Sequence, residues 1–259
     1  MTSATDLPAK AQSFLDLHRA PELLVLVNVW DVISATVVAG LPGCRALATA
    51  SHSIAASWGY EDGEQIPRDL MLETVGRIAA AVELPVTADL EAGYGDPGDT
   101  VRRAIALGVV GANLEDQARP LADAVAAVEA AKRAADAEGV PFVLNARTDV
   151  VLQAGDRPRA EVLADAIERG RAFVDVGAPI VFVPGKLSAG EVEALVEGIG
   201  PLSLICSPAS IPLAQMHELG VQRASLGPWS QRIALTGLAE AGASLLAQGA
   251  FPDGVQALN

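Results

Sequence analysis

Histidine, cysteine and aromatic residues are scarce: 259 residues hold three His, two Cys and only 4% Phe, Trp and Tyr. Cys44 and Cys206 lie too far apart, and are too few, to build a disulfide framework. Their apolar surroundings predict buried free thiols. Positive charge is also short, with 18 Lys and Arg against 32 Asp and Glu, a net charge of −14. That balance argues against nucleic acid and against an anionic membrane surface, whose binding draws on basic side chains. Apolar stretches such as Leu23–Val27 are far too short to cross a bilayer. Met1 to His18 shows no basic-then-apolar pattern, so no secretory signal and a cytoplasmic location are expected.

What the chain has in quantity is a repeated alternation. Short aliphatic or β-branched runs at Leu23–Val29, Arg45–Ala50, Pro85–Leu90, Gly111–Asp116, Phe142–Arg147, Ile180–Pro184, Leu202–Ser207 and Arg223–Gly227 read as strands. Several are nearly continuous apolar runs, as parallel strands covered on both faces should be. Between them lie amphipathic stretches at Pro67–Val82, Asp99–Leu107, Leu121–Glu138, Arg159–Val176, Ser188–Glu197 and Ile211–Leu219, with helix stops at Gly108, Gly139, Gly177 and Gly220. About eight β-then-α units in this length predict one (β/α)8 TIM-type barrel domain over residues 1–259. A doubly wound open sheet is the rival, but the chain has no GxxxxGK[ST] phosphate loop. Thr5–His18 reads as an extra helix before the first strand. Trp229–Gln248 reads as a C-terminal helix that covers the barrel or is exchanged with a neighbouring subunit.

Barrel chemistry sits at the carboxyl ends of the strands, and polar residues cluster there. The third strand ends in Asp89 and Glu91, the fourth in Asn113 and Glu115, the fifth in Asn145, Arg147 and Asp149. The period of two puts each of these sets on one face. Carboxylates without His or Cys partners suit a hard divalent cation, and an adjacent Arg suits a substrate carboxylate. Together they describe a site for a metal-chelated 2-oxo or 2-hydroxy acid whose enolate charge the cation and Arg would stabilise. Asp96, Asp116 and Asp149, taken singly, read as helix caps or orienting partners. Among the histidines only His52 is placed to reach the mouth, as a general acid or base, while His18 and His217 read as surface or packing residues. Trp30, Trp58 and Trp229 read as core filling rather than pocket wall.

Five segments, Ser51–Gly63 (SHSIAASWGYEDG), Thr87–Pro97 (TADLEAGYGDP), Asn113–Asp116 (NLED), Asn145–Asp149 (NARTD) and Leu219–Pro228 (LGVQRASLGP), resemble the isocitrate lyase/phosphoenolpyruvate mutase superfamily in order and spacing. The resemblance implies a barrel that forms a homo-oligomer, dimer or tetramer, through an exchanged C-terminal helix. It also implies Mg²⁺, with Mn²⁺ as substitute, and a small carboxylic-acid substrate passing through an enolate. It places Asp89, Glu91 and Glu115 at the metal, directly or through water. It matches Ser51 and Arg147 to the substrate carboxylate and Asp62 to the loop after the second strand. His52 and Ser53 stand where the family has a tight small-residue turn, and with Asn145 they are expected around the substrate by position. Asp62, His52 and Arg147 are thus the expected catalytic residues. The Lys-Lys-Cys-Gly-His motif of isocitrate and methylisocitrate lyases is missing, since Glu115-Asp116 runs through Gln117-Ala118-Arg119-Pro120 straight into a helix. A Mg²⁺-dependent C–C lyase other than those two is therefore expected. The rivals are a P–C bond mutase or phosphonopyruvate hydrolase, and a barrel that binds a 2-oxo acid without turnover.

Overall fold

The computed structural model describes residues 7–249 and 251–258. Strands β1 (Leu24–Leu26) and β2 (Asn28–Val29) are two halves of one barrel strand, parted only by Val27. Then follow α2 (Val32–Ala39), β3 (Leu47–Thr49), α3 (Ser51–Ser57), α4 (Arg68–Ala81), β4 (Val86–Asp89), α5 (Pro97–Ala106), β5 (Gly111–Glu115), α6 (Leu121–Ala137) and β6 (Val143–Arg147). The chain continues with α7 (Arg159–Asp175), β7 (Ile180–Phe182), α8 (Ala189–Ile199), β8 (Leu202–Ile205), α9 (Leu213–Glu218), β9 (Arg223–Ser225) and α10 (Trp229–Gln248). All neighbours pair in parallel, and the sheet runs β1-β9-β8-β7-β6-β5-β4-β3-β2. Because its two ends belong to one broken strand, the sheet is a ring of eight staves, the expected TIM-type barrel.

The strands are shorter than the runs read from the sequence, because the ends at 90, 116, 183–184 and 206–207 leave the ladder and turn into loops. The glycines read as helix stops, Gly108, Gly139, Gly177 and Gly220, all take positive φ. Two helices escaped the sequence reading. Helix α2 is apolar and β-branched, so its pattern resembles a strand; Asp31 nevertheless starts it through a capping box with Ser34. Helix α3 begins at Ser51, directly after β3, where the sequence reads as a strand end.

Helix α1 (Leu7–Arg19) closes the end of the barrel where the strands start; residues 5 and 6 of the expected helix lie outside the described residues. Its Phe14 is fully buried, and a Cβ on Gly111, the first residue of β5, would sit 2.9 Å from the Phe14 ring. His18 packs edge-on against Phe14 with centroids 4.6 Å apart, its Nδ1 2.8 Å from the Phe14 carbonyl. His18 is thus a core residue. Cys44 and Cys206 are free and half-buried rather than fully buried. At the other terminus, Ser230 Oγ donates to the Asn28 carbonyl at 2.5 Å and Gln231 Nε2 to the Ser53 carbonyl at 3.0 Å. These bonds hook the start of α10 to the barrel. Further along, α10 leaves Ile233 and Leu238 66% and 67% exposed. Among the described residues, no helix is long and apolar enough to cross a membrane.

Candidate active site

Ring order decides which strand-end side chains meet. In register, Asp89 of β4 stands beside Asn113 of β5, which stands beside Asn145 of β6. Asn145 Nδ2 donates to Asn113 Oδ1 at 2.7 Å, and the fully buried Arg223 donates from Nη2 to the same oxygen at 3.2 Å. One layer higher, Glu115, Arg147 and Phe182 align on β5, β6 and β7. Arg147 places Nη1 2.9 Å from Glu115 Oε2 and Nε 2.7 Å from Asp149 Oδ1, with its guanidinium carbon 6.0 Å from the centre of the Phe182 ring.

Asp89 has two different oxygens. Oδ2 accepts from Ser51 twice, from the backbone N–H at 3.1 Å and the hydroxyl at 2.8 Å. The backbone donor is one that the first turn of α3 leaves without an intrahelical partner, and Asp89 satisfies it. Oδ1 is buried and has no hydrogen-bond partner. Glu91 follows in a turn with φ 51° and is almost fully buried. Its Oε2 accepts from the Glu64 N–H and its Oε1 from the Tyr94 hydroxyl at 3.1 Å. Burial, and then the negative charge of Asp89, push Glu91 up to about 7. Burial likewise pushes Glu115 up to about 8, overriding the opposing pull of Arg147. For Arg147 itself burial acts downward, yet Glu115 and Asp149 leave it above the ordinary arginine value.

These groups open into a cavity of about 310 Å³ at the carboxyl ends of the strands. Of the residues singled out from the sequence, Ser51, His52, Asp62, Asp89 and Arg147 line it. His52 carries a buried Nδ1 without a partner, and Asp62 is exposed at the rim. Ser53 and Asn145 are fully buried and do not line it, nor do Glu91 and Glu115. Among the described residues, no three His, Cys, Asp or Glu side chains converge closely enough to enclose an ion.

The acids read as caps or orienting partners take those places. Asp96 caps α5 by accepting from the Asp99 N–H at 3.0 Å. Asp116 ties together the loops after β5 and β6, and Asp149 orients Arg147. The segment Gly93–Gly98 has glycines at the spacing of a dinucleotide loop, but Asp96 and Asp99 fill the start of α5 with negative charge where a pyrophosphate would sit. Trp58 is half exposed, its Nε1 3.1 Å from Thr74 Oγ1, and Trp229 lines the cavity, so neither fills the core as expected. Sequence reasoning passed over Lys186 and Ser207 as cavity residues. The signal available was a polar residue at the end of a strand run for Ser207 and just past one for Lys186.

A parallel eight-stave barrel with acids and one arginine gathered at its mouth has the form of a TIM-barrel enzyme. The phosphoenolpyruvate phosphomutase family model matches residues 14–246. An uncharacterized protein of Mycobacterium tuberculosis is 34% identical over 219 residues, covering 83% of this chain and 81% of its own. A Burkholderia cenocepacia J2315 structure, provisionally named a phosphonomutase, superposes with a TM-score of 0.86 at 40% identity, over 94% of this chain and 100% of that one. Oxaloacetate acetylhydrolase in complex with its product oxalate superposes with a TM-score of 0.84 at 27% identity, over 95% and 91%. The chain belongs to the phosphoenolpyruvate phosphomutase family, and with it to the lyases and mutases of the isocitrate lyase/phosphoenolpyruvate mutase superfamily.

Proposed function

We propose that this protein is a Mg²⁺-dependent lyase that makes or breaks a C–C bond beside the carbonyl of a small 2-oxo acid, through an enolate. The observation that carries the reading is Asp89 Oδ1, a buried carboxylate oxygen without a partner among the described residues, at the wall of the cavity that Arg147 also lines. A buried charged oxygen is costly unless something satisfies it. Asp89 would hold the ion directly, and Mn²⁺ could replace Mg²⁺ there. Both oxygens of Glu91 already accept hydrogen bonds and Glu115 is paired with Arg147, so these two would act through water. One or two carboxylates completed by water and substrate is how Mg²⁺ is usually held. When bound, the cation would draw charge from the oxo-acid oxygens and so stabilise an enolate.

The remaining roles belong to the chain. Ser51 fixes the other Asp89 oxygen and, lining the same cavity, would help hold the substrate carboxylate. Arg147 has Nε and Nη1 committed to acids, which leaves Nη2 for that carboxylate. His52, through its unpartnered Nδ1, or Asp62 at the rim would carry the proton. With the Cys and His of the methylisocitrate lyase motif missing, that reaction lacks its proton donor here. A P–C bond reaction is the second reading, favoured by the likeness to the Burkholderia phosphonomutase-like structure. The exposed apolar face of α10 favours a homo-oligomer.

The test is thermal stability with oxalate, an enolpyruvate mimic, with and without Mg²⁺. A ligand bound only by the native state raises stability with the logarithm of its concentration over Kd. The expected shift requires both components in the wild type and disappears in Asp89→Asn. A shift from oxalate alone, or one that survives Asp89→Asn, refutes the metal assignment. Deuterium exchange beside the carbonyl then separates an enzyme from a barrel that only binds.

A further inference from the structure

The cavity has a second charged pole. Counted round the ring, Asp89 lies on the third stave and Ser51 follows the second, while Lys186 follows the sixth and Ser207 the seventh. Ser207 therefore stands diametrically across the mouth from Asp89, with Lys186 next to it. Beside this second pole the wall carries the apolar Leu152, Phe182 and Ile205.

The two cations that line the cavity differ in how far their charge is spent. Arg147 is paired with both Glu115 and Asp149. Lys186 makes no ion pair among the described residues, although the chain carries 32 acids and 18 Lys and Arg. Its backbone is held firmly. Gly185 before it takes φ 138°, and a Cβ there would lie 2.6 Å from Val151 Cγ1, so only glycine makes this turn without displacing Val151. Arg159 donates from Nη2 to the Lys186 carbonyl at 2.9 Å and from Nε to Glu191 at 2.5 Å. Glu191 in turn closes a capping box with Ser188 at the start of α8. A fixed backbone carrying an uncompensated ammonium at a cavity rim is a built recognition element.

We propose that Lys186 is a specificity-determining residue. It reads an anionic group at the end of the substrate's carbon chain remote from the oxo-acid head, with the chain lying along Leu152, Phe182 and Ile205. This rests on the oxo-acid reading above and adds what the tail must be. A carboxylate and a phosphonate share the required chemistry, and the experiment separates them.

Displacement of oxalate, with Mg²⁺ present, is measured for 2-oxo diacids of four to six carbons, the matching 2-oxo monoacids, and phosphonopyruvate. In the wild type one diacid, or phosphonopyruvate, should bind about tenfold more tightly than the monoacid of its length, the worth of one charged hydrogen bond. Lys186→Met should erase that advantage and leave oxalate, the monoacids and the melting temperature unchanged, because the side chain is exposed. Lys186→Arg should restore part of it. Equal binding of diacids and monoacids by the wild type overturns the inference while the oxo-acid site stands. So does a Lys186→Met loss as large for oxalate as for the tailed acids. A wild type that takes up no oxalate with Mg²⁺ overturns the oxo-acid reading and this inference with it.

Discussion

Asp116 follows β5 directly and fixes a tight turn before α6. Oδ1 accepts from the Ala118 N–H at 2.8 Å and the Asp149 N–H at 2.9 Å, while Oδ2 accepts from Arg169 Nη1 at 2.9 Å. Gln117 and Ala118 sit at φ 52° and 51°, a conformation that non-glycine residues adopt only when held. Asp116→Ala would release both backbone donors and leave a buried guanidinium short of one partner. Breaking a buried pair costs about 3–5 kcal/mol. Arg169 keeps Asp165 at 2.8 Å and the Arg119 carbonyl at 2.8 Å, which places the expected loss near the lower end. For a chain of this size about 3 kcal/mol corresponds to a fall in melting temperature of roughly 6–12 °C. Asp116→Asn should cost less, about 1–2 kcal/mol, because its amide oxygen still accepts both N–H groups, and only the acceptor for Arg169 Nη1 is lost where the amide nitrogen replaces Oδ2. The two variants should differ in binding as well. Asp149, which orients Arg147 Nε at 2.7 Å, stays anchored in the Asn variant and not in the Ala variant. Urea unfolding and oxalate titration measure both quantities. Equal stability of the two variants, or either within about 0.5 kcal/mol of wild type, would show that the turn is not held as described.

Burial pushes His18 down to about 3, with Arg223 adding to the shift. The folded value lies below the unfolded 6.5, so the unfolded chain binds the extra proton between these limits and stability is lost as pH falls from 6.5 towards 3. Between pH 7 and pH 5 this amounts to about 2 kcal/mol, and urea midpoints should show the difference shrinking by that amount in His18→Gln. A Cβ at Gly111 would meet the Val143 carbonyl at 2.7 Å and the Phe14 ring at 2.9 Å, so Gly111→Ala should destabilise by about 1–3 kcal/mol in calorimetry. An unaltered melting temperature there would show that α1 does not seat against β5. Light scattering should give a dimer or tetramer for the wild type and a smaller species for Leu238→Glu on the exposed face of α10. A monomeric wild type would sink that reading.

The barrel was legible because its strands are buried on both faces and its helices end at glycines, features that depend on neighbours a few residues away. The same locality explains the misses. Helix α2 has no polar face to reveal its period, and the capping box of Asp31 and Ser34 is the one local mark of its start. Ser51 reads as the continuation of a strand because its reason for starting a helix is Asp89, 38 residues further on. The period of two holds within the regular strands, where it groups Asn113 with Glu115 on β5 and Asn145 with Arg147 on β6, while the register decides that Asn113 stands beside Asn145 and Glu115 beside Arg147. It did not apply to Glu91, which lies beyond the ladder in a left-handed turn and points its carboxylate to Glu64 and Tyr94.

Ring closure is the step that no local pattern contains. Three strand-end positions in the sequence, Asp89, Arg147 and Lys186, are separated by stretches in which charge alternates without visible order. Closing eight staves sets Asp89 two places from Arg147 and three from Lys186 around a single cavity. It also decides that Glu115 and Asp149 spend their charge on Arg147, which the register between β5 and β6 requires. Among the described residues, the mouth thus holds one carboxylate oxygen without a partner and one ammonium without a counter-ion, on facing sides. On the proposed reading, chemistry at the first and selection at the second follow from how those two charges are left over, and not from the total of −14.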